Sequence, residues 1–108
     1  MEAYISMPIS GHDIRKRKEY AEKVKNLLLS RTIIDKVTTP FDIDDYEEDK
    51  AWEWYLARDL QVIMRCDCII VLPGWGKSLG CKLEIEWSKL NDKKIITTSS
   101  EILKLKKQ

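Results

Sequence analysis

Histidine occurs once, cysteine three times, proline three times and glycine four times in this chain of 108 residues. Each scarcity removes a class. The lone imidazole, His12, has no metal-ligand spacing around it, and Cys66-x-Cys68 lacks the second pair that a structural zinc site needs. An odd, sparse set of cysteines (Cys66, Cys68, Cys81) suits reduced thiols and a cytoplasmic location better than a disulfide framework. No run approaches the ~18–20 consecutive apolar residues of a membrane span. The start, Met1-Glu2-Ala3-Tyr4-Ile5, lacks the basic and apolar regions of a signal peptide. Charge of one sign is also missing: 19 Lys and Arg face 18 Asp and Glu, a net +1, so the footprint of a nucleic-acid polymer is absent. What remains is ordinary globular composition, 44% hydrophobic and 34% charged, which excludes disorder. No linker or repeat interrupts it, so residues 1–108 read as one domain with a single core.

Apolar periodicity then gives an order of elements. Ala3 to Met7 is a short buried strand ending at Pro8, and Pro8-Ile9-Ser10-Gly11 is a loop. His12 to Ser30 follows at helical period, with Arg17, Tyr20, Ala21, Val24, Leu27 and Leu28 on one stripe and Asp13 suited to the helix start. Lys36 to Thr39 is a polar strand, fit for a sheet edge, and Asp42 to Asp49 reads as an acidic loop. Ala51 to Arg65 is an amphipathic helix, and Cys68 to Leu72 is apolar on both faces, as a central parallel strand is. After the loop from Pro73 to Lys77, Ser78 caps a helix that runs to about Leu90. A turn at Asn91-Asp92-Lys93, a strand from Ile95 to Thr98 and a short helix from Glu101 to Lys106 complete the chain. Strands alternating with helices predict an α/β fold, a three-layer Rossmann-like sandwich with a parallel sheet of about four strands in the order 2-1-3-4. Ligands bind such sheets outside the carboxyl ends of the strands, where the order reverses. Two loops converge there, Pro8 to Gly11 and Pro73 to Gly80.

Two carboxylates stand out against this frame. Asp59 has Tyr55, Leu56, Val62 and Ile63 three and four positions away, which puts an acid inside an apolar stripe. An ionised carboxylate is costly there unless it is partnered or functional. A partnered structural acid is the plainer explanation, and position near the switch point favours the functional one. Glu84 has Gly80, Cys81, Trp87 and Ser88 around it and no cation, whereas Glu86 has Lys82 and Lys89; Glu84 faces inward and Glu86 faces water. Buried acids on two helices form the equipment of glycosidic chemistry, a nucleophile and an acid. The glycine loop carries less. Gly76-Lys77-Ser78 has the tail of a phosphate loop, but Val71 stands at the leading glycine, and Leu79 stands where a dinucleotide fingerprint needs its third glycine. What survives is the helix start at Ser78, an anion site or an ordinary cap. The acidic run has no glycine at the calcium-loop position. Trp52, Trp54 and Trp87 are assigned to core or subunit contacts, and Trp75 to the wall of a base pocket.

Four blocks then line up with a known superfamily. Tyr4-Ile5-Ser6-Met7-Pro8-Ile9-Ser10-Gly11, Trp52 to Leu60, Cys66-Asp67, and Leu72-Pro73-Gly74-Trp75 with Ser78-x-Gly80-x-x-x-Glu84 resemble the nucleoside 2-deoxyribosyltransferase superfamily, in its small phage and bacterial branch that includes proteins similar to 2′-deoxynucleoside 5′-phosphate N-hydrolases. The resemblance spans Ala3 to about Ile96 and implies a flavodoxin-like sheet and cleavage or exchange of an N-glycosidic bond. It implies Glu84 as nucleophile on the anomeric carbon, Asp59 as acid to the departing base, and Tyr4 as the hydroxyl that orients the nucleophile. Ser6, Pro8, Ser10, Gly11, Gly74, Trp75, Ser78, Gly80 and Lys82 follow as substrate- or phosphate-binding positions. Ser10 stands where the nucleotide-hydrolysing relatives carry an arginine for phosphate, and this chain offers only Cys81 and Lys82 where the transferases carry a further acid near the nucleophile. The implied partners are a nucleoside or nucleotide and a second copy of the chain, as homodimer or higher homo-oligomer, with no nucleic-acid polymer, membrane, metal or cofactor. The alternative expectation is a nucleotide-binding or sensing module with weak catalysis that uses the same cleft. A flavin carrier fits less well, because the loop after the first strand lacks a run of hydroxyl residues.

Overall fold

The computed structural model describes residues 1–46, 50–97 and 105. Strand β1 (Glu2–Ser6) leads into helix α1 (Ile14–Arg31), then β2 (Lys36–Thr38) and a single-turn helix α2 (Pro40–Ile43). Helix α3 (Trp52–Arg65) precedes β3 (Cys68–Val71), and α4 (Leu79–Leu90) precedes β4 (Lys94–Ile96). All strand pairs are parallel and the order is β2-β1-β3-β4. Helix α1 covers one face of this sheet while α3 and α4 cover the other, so the chain has the three-layer, flavodoxin-like α/β fold read from its sequence. The polar β2 is indeed an edge strand.

Register explains how each layer is filled. Tyr4 lies beside Ile69 and Ser6 beside Val71 in the central pair of strands. Side chains alternate along a strand, so Ala3 and Ile5 join Ala21, Leu28 and Ile70 under α1, while Tyr4 joins Val62, Ile63, Ile69 and Ile85 under α3 and α4. Asp13 caps α1, accepting from the amides of Arg15 and Lys16 at 3.0 and 3.3 Å, and Ser78 caps α4, accepting from the Cys81 amide at 3.3 Å.

Several local expectations shift. Helix α1 starts at Ile14 rather than His12 because Asp13 is its cap. Its buried stripe is narrower than the periodicity suggests: Ala21 and Leu28 are buried and Val24 packs beside them, but Tyr20 and Leu27 are exposed. One helix laid over a four-stranded sheet buries a line of residues one turn apart, and positions 100° to its side stay in water. The acidic segment does not begin as a loop. Asp42 belongs to α2, where Thr39 and Asp42 form a reciprocal capping box at 3.2 and 2.9 Å. The rest of that segment from 47 to 49, the end of the last strand at Thr98, and the tail helix apart from Leu105 lie outside the described residues.

Candidate active site

At the carboxyl ends of β1 and β3 the two loops meet. Gly74 has φ +93, and a Cβ built on it would stand 3.4 Å from Pro8 Cγ, so the loop after β3 presses against the loop after β1. Gly11 takes the left-handed region too, at φ +80. Beneath and between the loops opens a cleft of about 650 Å³. Of the positions singled out by sequence, Tyr4, Pro8, Ser10, Gly11, Asp59, Gly74, Ser78, Gly80 and Glu84 all line it. A Cβ on Gly80 would approach only Ser78 Oγ, at 3.9 Å, so this edge of the cleft is open.

The floor is a network of hydroxyls and carboxyls. Tyr4 and Ser6 lie two apart on β1 and therefore point to the same face. The Tyr4 hydroxyl donates to Glu84 Oε2 at 2.9 Å and the Ser6 hydroxyl donates to Glu84 Oε1 at 2.6 Å. Glu84 is 4% exposed and Asp59 5%. Asp59 reaches the floor from α3, whose buried stripe is Tyr55, Asp59, Val62 and Ile63, spaced as the sequence pattern requires. The Tyr46 hydroxyl donates to Asp59 Oδ2 at 3.4 Å. Asp59 Oδ1 is buried with no hydrogen-bond partner among the described residues.

These surroundings push the two acids apart in role. Burial, then the charge of Glu84, raises Asp59 to about 9, so it holds a proton at neutral pH. Burial raises Glu84 as well, and the Ser6 and Tyr4 hydroxyls and neighbouring Asp59 offset that rise only in part. Two donated hydroxyls favour the charged form of Glu84, a support that Asp59 has from Tyr46 alone among the described residues. Burial and the Glu84 charge hold the Tyr4 phenol far above its ordinary value, which keeps it a donor. Cys81 also lines the cleft, with a thiol raised by burial and therefore neutral.

Some positions fall elsewhere. Ser6 is fully buried and acts on Glu84 from below the cleft rather than from its wall. Trp75 is not part of the lining. It opens a 3₁₀ turn (Trp75–Lys77) in which successive side chains diverge by a third of a turn, so Lys77 enters the cleft and Trp75 does not. Lys82 is exposed and outside the lining, because two residues before Glu84 on a helix is the opposite face.

Other residues enter that the sequence reading placed elsewhere or passed over. Arg17 was assigned to the α1 stripe and His12 set aside; both line the cleft, and the Arg17 guanidinium donates to His12 Nδ1 at 3.0 Å. Lys50 and Lys77 add cationic side chains to the rim. Trp52, expected in the core or a subunit contact, lines the cleft with Tyr46 and Tyr55, whose rings stack at 4.4 Å. An arginine inside an otherwise apolar helical stripe was the one available signal for Arg17. Residues 1–97 match DUF4406, a domain of unknown function. The chain belongs to the DUF4406 family. No curated protein and no solved structure matches it. The cleft of this chain thus combines two buried carboxyls, one held by two hydroxyls, with aromatic walls and a cationic rim.

Proposed function

We propose that this protein cleaves or exchanges the N-glycosidic bond of a nucleoside or nucleoside 5′-monophosphate, as the nucleoside 2-deoxyribosyltransferase superfamily does. The observation that carries the reading is the different setting of two neighbouring buried acids: Glu84 with both oxygens taken by hydroxyl donors, Asp59 with one oxygen vacant. A glycosidic bond breaks through an oxocarbenium-like centre that needs a carboxylate beside the anomeric carbon and an acid beside the leaving group. Glu84 Oε attacks the anomeric carbon as the carbon–nitrogen bond breaks, and the Asp59 proton passes to the departing base nitrogen. Water or a second base then takes the sugar from Glu84. Tyr4 and Ser6 hold the Glu84 carboxylate in one orientation. The aromatic side chains of Trp52, Tyr46 and Tyr55 suit a planar base.

The cationic rim favours a 5′-monophosphate over a nucleoside. Arg17, on the first turn of α1, reaches the cleft on the side of the Ser10-Gly11 loop, and supplies the guanidinium that Ser10 lacks. Exposed Trp54, Met64, Leu79, Leu83 and Leu90 on α3 and α4 support a homo-oligomer. Three free cysteines, all buried, support a cytoplasmic location. No helix among the described residues is long and apolar enough to cross a membrane.

The test is base release from a panel of ribo- and deoxyribonucleosides and their 5′-monophosphates, resolved by chromatography, with Glu84→Ala alongside. Free base from the native protein and none from the variant is the expected result. No release from any substrate, with a nucleotide still raising the melting temperature, overturns catalysis and leaves a nucleotide-binding module.

A further inference from the structure

The two buried carboxyl groups have four oxygens, and the described residues offer them three hydroxyls. Tyr4 and Ser6 serve Glu84, and Tyr46 serves Asp59 Oδ2. Only Asp59 Oδ1 is left without a partner. Tyr46 is not part of the strand and helix framework that holds the other two donors. It lies beyond α2, at φ 62, a left-handed backbone that a tyrosine adopts at a cost. Its ring is fixed by stacking on Tyr55 with planes 21° apart and by an edge contact with Phe41 at 5.4 Å. Tyr55 lies one helical turn before Asp59 on α3, so the stack sets the Tyr46 hydroxyl over the aspartate.

We propose that Tyr46 is the positioning residue of the acid: its hydroxyl occupies Asp59 Oδ2 and so directs the transferable proton to Oδ1, the oxygen left for the leaving group. An oxygen that accepts a hydrogen bond is the poorer site for a proton, so the neutral acid is protonated on Oδ1. At 3.4 Å the contact is long, and such contacts tighten when a ligand fills the site. The catalytic half of this inference rests on the glycosidic reading above; the carboxyl half does not.

Tyr46→Phe tests it, because the ring and its stack remain and only the donor goes. The Asp59 carboxyl is followed by carbon-13 NMR through a pH titration, assigned with Asp59→Asn, and base release is measured in parallel. Loss of a donor to the carboxylate moves the Asp59 midpoint upward, by about half a unit or more. In the same variant kcat falls about tenfold or more while KM stays within about twofold, since a less well-placed acid slows proton transfer without altering binding. An Asp59 midpoint and a kcat both equal to the native values overturn the proposal. If the native protein releases no base, the glycosidic reading fails, and the titration alone decides the role of Tyr46: a shifted midpoint supports it and an unshifted one overturns it.

Discussion

The two faces of the sheet are built from the same strand and put to opposite uses. Under α1, Ala3 and Ile5 of β1 meet Ala21, Leu28, Ile70 and Ile96, and every buried residue of that cluster is apolar. Under α3 and α4, Tyr4 and Ser6 of the same strand meet Glu84, with Asp59 beside it. Shedding water favours folding on both faces, since Val62, Ile63, Ile69 and Ile85 are buried under α3 and α4 too, but on the second face two carboxyls also lose hydration at a cost. A chain of this size has a net stability of about 5–15 kcal/mol, so two carboxyls at this depth are a cost that the rest of the fold has to offset.

Substitutions that hit one face at a time sharpen the contrast. Glu84→Gln keeps the size of the side chain and removes its charge; base release is expected to fall by a thousandfold or more, as when a nucleophile is lost, while the protein stays folded. Ile5→Ala does the reverse. Ile5 is fully buried, and truncation to alanine costs about 2–5 kcal/mol, read as a lower midpoint in denaturant with base release per folded molecule retained. Should Ile5→Ala abolish turnover in folded protein, the division between the faces would break down.

The next effect depends on pH. Asp59 titrates near 3.8 when exposed and at about 9 in the folded chain. Between those values the folded state holds a proton that the unfolded state has released, so stability from this group is full below about 4, declines as pH rises through the window, and levels off above about 9. Asp59→Asn removes the effect. The variant is expected to melt above the native protein, with the gap widening from pH 6 to pH 9 at up to about 1 kcal/mol per unit. A gap that is constant with pH would show that Asp59 is ionised in the folded state. If base is released, its rate is expected to decline above about pH 9 as Asp59 loses its proton, read from the pH profile of the native protein.

Much of this was legible in the sequence. Asp59 stood out because an acid among Tyr55, Val62 and Ile63 breaks an apolar helical period, and Glu84 stood out because Glu86, two residues on, has the lysines. Strand order followed from the polar β2 and the apolar β3. The cationic rim was not legible, because Arg17, Lys50 and Lys77 come from three separate segments and converge only once the crossovers bring those segments to one end of the sheet. Tyr46 escaped for a related reason: its link to Asp59 depends on a positive φ and a ring stack, neither of which leaves a periodic trace. Trp75 misled because position in a loop says little about direction, and one 3₁₀ turn faces it away from the cleft.

The smallest effects lie at the rim, where two glycines two residues apart differ in what they do. Gly74 has φ +93, with Pro8 at ordinary contact distance from any added Cβ, whereas nothing lies within 4 Å of a Cβ on Gly76. Gly74→Ala therefore forces an L-residue into the left-handed region, at about 1–2 kcal/mol, and loads the contact that joins the two loops above the carboxyls. Gly76→Ala is expected to fall within about 0.5 kcal/mol of the native protein. Denaturant midpoints for the pair separate backbone strain from the simple loss of a flexible residue. KM then shows whether the junction also shapes the cleft, since a shifted loop after β3 carries Lys77 and Ser78 with it while leaving Glu84 and its hydroxyls in place. A rise in KM for Gly74→Ala with kcat unchanged is the expected pattern. Equal melting and equal KM for both variants would mean that the carboxyl face ends at its floor and that the loops above it are free to move.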